Sequence, residues 1–227
     1  MTQEVLIPKM RRLDKRHREI KIPFINLVLI FCSILFLIAT TFVNLNIKHY
    51  IIPIDLFTNK ALCSDNFIYS FWIVPQIPAV MMICSVLGKR MAVTTVMLYI
   101  LAGLLFLPIF GLGGGITYLS EFGFGYILGY IPAVVFAGNI LHQKYSFPNM
   151  IKASILGVLI IHLIGIFYML IIALFKHADS SFISGWIAAQ SGLKVLYDII
   201  ISFLAIMIGK YFHEFLKIGR ASCRERV

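Results

Sequence analysis

The sequence predicts an all-α integral membrane protein with six transmembrane helices, both termini inside, and a glycine-rich outer loop between helices 3 and 4. Three observations carry this. Sixty per cent of the 227 residues are hydrophobic and only 13% are charged, with a mean hydropathy of +0.92; a water-soluble domain needs a charged exterior, so lipid is the solvent for most of this chain. Six stretches, 24–46, 67–87, 91–110, 122–141, 151–175 and 193–212, are apolar enough over the roughly 20 residues that a span requires. Finally, Lys and Arg are distributed unevenly among the connections between them.

Residues 1–23 form a basic segment, with Lys9, Arg11, Arg12, Lys15, Arg16, Arg18 and Lys21 directly before the first span. That span is too long for a signal-peptide core and lacks a small-residue cleavage site, so it reads as a retained helix. The positive-inside rule places the segment in the cytoplasm. Its charge either docks a cytoplasmic partner or sets topology and touches anionic lipid of the bilayer; no nucleic-acid partner is expected. In the second span Gln76 precedes "IPAV", where Pro78 bends or starts the helix. "GKR" (Gly88 to Arg90), the Lys144–Lys152 connection, Lys210 and Lys217 fall inside, whereas the loop after the third span has no Lys or Arg and falls outside. The other outer connections hold Lys48, Lys60 and Lys176, interspersed with Asp55, Asp65 and Asp179. Connections this short leave no room for a soluble catalytic domain, so residues 24–217 read as one six-helix substrate-binding domain.

The tail "IGRASCRERV", residues 218–227, matches the translation of a sequencing-adaptor read-through and is set aside as an artefact. Without its three Arg and one Glu the formal charge falls from +10 to +8. Cys223 goes with it, and Cys32, Cys63 and Cys84 have no paired spacing, so neither a disulfide framework nor a metal site is indicated.

Between Gly111 and Gly129 lie seven glycines in nineteen positions. A phosphate-binding loop would need a following Lys and Ser or Thr, but "GLGGGITYL" offers Thr117 and no lysine, and it lies on the face where ATP is absent. Glycine permits positive φ and close approach of backbone to a helix or a ligand. Interleaved with Tyr118, Phe122, Phe124 and Tyr126, these residues predict a compact folded loop that caps a pocket.

At this stretch the sequence resembles the BioY family, the biotin-binding membrane subunits (S components) of energy-coupling-factor (ECF) transporters. The resemblance runs from about residue 72 to 141, and the six-span layout extends it along the chain. The family's glutamine, apolar helix and Gly-Pro-Arg correspond to Gln76 and "GKR". Its tyrosine-containing helix ending in Gly-Leu-Pro-x-Phe corresponds to "LYILAGLLFLPIF", with Tyr99, Gly103, Pro108 and Phe110, and its Gly-Tyr-Leu-x-Gly-Phe to "GYILGY" at Gly125–Tyr130. The chain departs from the family at "EFGFG" (Glu121–Gly125), where Gly-Pro-Thr-Gly-Gly is usual, and lacks the Ala-x-x-x-Ala docking pattern in its first span. In "LKVLYDIII", Asp198 takes the place of the acid of Gly-Asp-x-x-Lys, Ile201 replaces the lysine, and Lys194 lies one turn earlier.

The resemblance implies biotin as transported ligand, no cofactor, a location in the inner cell membrane, and an ECF coupling subunit with ABC-type ATPases as partners. Biotin carries ureido N–H donors and a carbonyl, an apolar ring and a valerate carboxylate, so its site wants an acceptor, aromatic walls, and a cation or backbone amides. Asp198 is the candidate for the ureido N–H groups, because an intramembrane acid costs about 2.5–3.5 kcal/mol and by default faces the bundle interior. A plain i,i+4 pair with Lys194 is the rival reading, worth about 0.2–0.5 kcal/mol on an exposed helix; Lys194 could instead meet the carboxylate. Gln76 could bond the ligand or join helices. Gly114 and Gly115 allow backbone to approach the ligand. Tyr118, Tyr126, Tyr197 and Trp72 are candidates for the walls, although Tyr69, Tyr168 and Trp186 gather on the same side, as an interfacial aromatic belt would. Asn139 and His162 read as interhelical hydrogen bonds and Glu121 as a solvated loop residue.

An enzyme is not expected, since the six His are scattered and neither His-Glu-x-x-His nor a serine elbow occurs. The competing readings are an S component for riboflavin or thiamine, and a non-catalytic structural membrane protein.

Overall fold

The structure, a computed structural model, describes residues 24–50, 68–143 and 146–224. The basic segment 1–23, Cys63 and Tyr145 lie outside the described residues. In chain order the elements are α1 (Phe24–Thr41), β1 (Leu45–Tyr50), β2 (Ile68–Ile73), α2 (Gln76–Leu105), a short 3-10 helix (Ile116–Ser120), α3 (Phe124–Gln143), α4 (Phe147–Phe175), α5 (Ser180–Ser191) and α6 (Lys194–Arg224). Five stretches among the described residues are helical, long and apolar enough to cross a bilayer: α1, α2, most of α3, α4, and Ser180–Glu214, which joins α5 to α6. The chain is a multi-pass membrane protein.

Three expected spans are shorter than the apolar runs that suggest them; the third ends at Leu105 rather than 110, where the glycine-rich loop takes over. α1 stops at Thr41 rather than 46, and the next helix begins at Gln76 rather than 67. The intervening apolar residues form an antiparallel two-stranded ribbon, with Leu45 opposite Ile73 and Tyr50 opposite Ile68. "IYSFWI" is rich in the β-branched and aromatic residues that favour strands, a distinction hydropathy cannot draw. Pro75 and Pro78 sit at the very start of α2, where the missing N–H groups have no intrahelical partner to lose.

α2 is not straight. Its 30 residues contain Gly88 at φ 75° and ψ 168°, a conformation essentially confined to glycine. A straight helix would hold Gln76 and Tyr99 about 34 Å apart, yet Gln76 Nε2 donates to the Tyr99 hydroxyl at 2.7 Å. The element therefore folds back at Gly88 into two antiparallel arms, 76–87 and 89–105.

Packing between helices relies on small residues, as expected where lipid removes the hydrophobic drive for association. A Cβ on Gly129 of α3 would fall 2.9 Å from the Ile161 backbone of α4, and one on Gly209 of α6 would fall 2.9 Å from Ser85. Gly125 and Gly129 thus serve helix packing within α3, and only five of the seven clustered glycines belong to the loop.

That loop is compact. Phe110 and Gly113 exchange backbone hydrogen bonds of 2.8 and 2.9 Å, and Gly115, at φ 87°, donates its N–H to Gly103 O at 2.8 Å. The buried Phe110 ring packs edge-on against Tyr99 at 5.5 Å and lies 4.7 Å from the Tyr118 ring. The loop is thereby sealed onto the end of α2. At the opposite end of the bundle Lys89 donates to Asn139 Oδ1 at 2.8 Å, and His213 Nδ1 donates to Val86 O at 2.8 Å. The Gly88 turn, the end of α3 and the end of α6 thus share one face.

Candidate functional site

A cavity of about 500 Å³ opens at the loop end of the bundle, within the range of roughly 300–1,000 Å³ usual for small-molecule sites. Its walls come from the end of α1 (Thr41, with Asn44 just beyond), the start of α2 (Gln76), the glycine-rich loop (Gly111, Leu112, Tyr118, Gly123), α3 (Tyr126, Tyr130), α4 (His162), α5 (Trp186, Gln190) and α6 (Lys194).

Two hydrogen-bond systems order these walls. The first centres on Gln76, which is buried at the head of α2. Its amide donates to Tyr99 at 2.7 Å and to Thr41 Oγ1 at 3.0 Å, while its Oε1 accepts from the Tyr130 hydroxyl at 3.0 Å. Thr41 donates to Leu37 O at 2.9 Å, so across the 3.2 Å contact of the two hydroxyls Tyr99 is the donor. Both Gln76 donors are therefore engaged, and only the second lone pair of Oε1 is left for a ligand. Gln76 joins helices, one of the two roles suggested by the sequence, and also lines the cavity.

The second system crosses four helices. The Tyr126 hydroxyl meets Ser191 Oγ at 2.7 Å, Ser191 Oγ meets His162 Nδ1 at 2.9 Å, and His162 Nε2 meets Asp198 Oδ2 at 3.3 Å. Gly165 makes room for it: a Cβ there would fall 2.6 Å from the Tyr126 ring. His162 is interhelical, as expected, and also lines the cavity.

Of the residues singled out in the sequence, Gln76, Tyr118, Tyr126 and Lys194 reach the cavity wall. Lys194 Nζ donates to Gln190 Oε1 at 3.2 Å, so the partner of its ammonium lies one turn back along the chain. Asp198 is fully buried behind His162; its Oδ1 has no hydrogen-bond partner among the described residues. Tyr118 is a loop residue bonded to the Leu112 backbone, and burial raises its phenol above the usual value, which keeps it a donor at neutral pH. Gly114 and Gly115 brace the loop rather than line the cavity: a Cβ on Gly114 would fall 2.8 Å from Gly103 O. Trp72 lies on β2 with 61% of its surface exposed, and Tyr197 is half-buried on α6; neither is on the cavity wall.

Thr41, Tyr130, Gln190 and Ser191 are polar groups that sequence reasoning passed over, and Trp186, one of the aromatics it grouped on the outer side, is on the cavity wall. Trp186 Nε1 is a buried donor with no partner among the described residues. The wall is thus polarised. Gln76, with Tyr130 and Tyr126, supplies oxygen lone pairs on one side, and Trp186 and Lys194 supply N–H donors from α5 and α6.

The family model described as the BioY family matches residues 14–218. Among curated proteins the chain is similar to a probable biotin transporter BioY of Lysinibacillus sphaericus, 34% identical over 96 residues. That match takes in 41% of this chain and 49% of the relative, so it spans about half the length of the curated protein. Among solved structures the chain is similar to the S-component for biotin from an ECF-type ABC transporter, known from a 2.1 Å crystal structure, with a TM-score of 0.59 and 18% identity. The superposition covers 83% of this chain and 90% of the other, and at that identity it speaks to the fold.

Proposed function

The chain belongs to the BioY family, and from that premise we propose that it captures biotin as the substrate-binding subunit of an ECF transporter. The observation that carries the reading is the polarised cavity. Ureido N–H groups are matched by the Gln76 Oε1 lone pair and the Tyr126 and Tyr130 oxygens, and the valerate carboxylate by the Lys194 ammonium. The apolar ring lies against Tyr118, Ile127 and Trp186. Asp198 acts through His162, which it holds in place, rather than from the wall.

The topology that accompanies this reading has six crossings, because α2 reverses at Gly88 and so passes through the bundle twice. The end that carries Lys89, Arg90 and Lys210 faces the cytoplasm with both termini, and the glycine-rich loop lies outside, between crossings 3 and 4. The cavity then opens outward, at the inner cell membrane. The chain binds and releases; it does no chemistry on the vitamin. Energy comes from a coupling subunit and ABC-type ATPases on other polypeptides.

Calorimetric titration of the detergent-purified protein with biotin, riboflavin and thiamine tests the substrate. Saturable binding of biotin alone is expected. Binding of riboflavin or thiamine alone would move the site to another vitamin.

A further inference from the structure

The Tyr126–Ser191–His162–Asp198 chain has a direction that chemistry imposes. An ionised carboxylate can only accept, so Nε2 of His162 carries the proton that faces Asp198 Oδ2 at 3.3 Å. In neutral imidazole the other nitrogen is then an acceptor. Ser191 must donate to Nδ1 across 2.9 Å, and its oxygen in turn accepts the Tyr126 proton across 2.7 Å. With its proton turned toward Ser191, Tyr126 offers the cavity a lone pair.

A proton added to His162 leaves the bond to Asp198 as it is and reverses the two links beyond it. Nδ1–H becomes a donor to Ser191, Ser191 donates to the Tyr126 oxygen, and the Tyr126 proton is released toward the cavity. The wall changes from acceptor to donor at one point without movement of any heavy atom. We propose that His162 is a positioning residue which, through Ser191, sets the hydrogen-bond polarity of Tyr126 and so makes capture of a ligand with N–H donors tighter at high pH than at low pH. This deepens, and rests on, the reading of the cavity as a biotin site.

Histidine is the one side-chain type whose charge ordinarily changes between about pH 5 and 8, and His162 is the histidine of this network. Asp198 and Lys194 approach from α6 and Tyr126 and Tyr130 from α3, while α5, which supplies Ser191, has no titratable side chain. Carboxylates ordinarily titrate below this window, and phenols and lysines above it. The order Ser–His–Asp is also that of a hydrolytic nucleophile, but Tyr126 engages Ser191 Oγ, and it is Tyr126 that lines the cavity.

The test is equilibrium binding of biotin at pH 8 and pH 5.5 by the full chain in detergent, for the wild type and for Ser191→Ala, Ser191→Thr and His162→Gln, with helicity and gel-filtration profile as folding controls. The wild type is expected to bind about tenfold more weakly at pH 5.5, the order of one inverted hydrogen bond. Ser191→Ala and His162→Gln are expected to bind equally at both values, and Ser191→Thr, which keeps the hydroxyl, to restore the difference. A residue that only supports the fold would lower affinity without flattening the profile. Biotin binding that ignores pH in the wild type, or that keeps its pH dependence in Ser191→Ala, overturns the inference and leaves the substrate reading intact. Absence of biotin binding at both values overturns the substrate reading first, and this inference with it.

Discussion

Replacing Gln76 by leucine removes the side chain that joins α1, both arms of α2 and α3. Three bonds are lost, to Thr41, Tyr99 and Tyr130, at 3.0, 2.7 and 3.0 Å. Interhelical hydrogen bonds in membranes average about 0.6 kcal/mol and reach about 1.7, so three of them bracket roughly 2–5 kcal/mol. The upper half of that range is expected. Thr41 and Tyr99 keep each other at 3.2 Å, but the Tyr130 hydroxyl, buried on α3, loses its acceptor. An unmet buried donor costs about 1–3 kcal/mol. The assay is equilibrium unfolding in mixed micelles of rising SDS fraction, followed by far-UV circular dichroism. Adding Tyr130→Phe removes the orphaned hydroxyl and is expected to recover about 1–2 kcal/mol, because removing both partners is far milder than removing one. A loss below about 0.5 kcal/mol for Gln76→Leu, or strict additivity of the two changes, would refute the claim that this network holds the bundle together.

Gly88→Ala places a side chain where nothing lies within 4 Å, so its effect isolates the backbone: about 1–3 kcal/mol of destabilisation in the same unfolding assay, with biotin affinity unchanged in the folded protein. Lys194→Gln is expected to weaken biotin binding by roughly 10- to 150-fold, the span of a charge-assisted hydrogen bond, while leaving the affinity for biotinamide nearly unchanged; equal losses for the two ligands would remove Lys194 from the carboxylate.

The helices were legible because composition alone separates lipid-facing from water-facing chain: α3, α4 and most of α6 lie where hydropathy puts them. The break at Gly88 was legible too, since "GKR" interrupts the apolar run between 87 and 91. The β1–β2 ribbon was not, because an apolar strand and the end of an apolar helix have the same hydropathy. α5 escaped because its twelve residues mix serine, glycine and glutamine with few long aliphatics and form no span. Missing α5 meant missing Gln190 and Ser191 together and leaving Trp186 as one aromatic among several on the outer side. Polar residues inside apolar helices drew attention to Gln76, Lys194 and His162, all of which lie on the cavity wall. What sequence could not supply was pairing across distance: Gln76 meets Thr41 and Tyr130 from 35 and 54 residues away. Trp72 shows the reverse failure, since a tryptophan four residues before Gln76 suits the cavity on a helix but points elsewhere from a strand.

That biotin occupies this particular cavity is best tested by intrinsic fluorescence, because the chain has two tryptophans, and only Trp186 lines the site. In a Trp72→Phe protein all indole emission comes from Trp186. Titration with biotin should change that emission saturably, with the midpoint that calorimetry gives for binding. Calorimetric binding of biotin with no change in Trp186 emission would place the vitamin elsewhere and contradict the account.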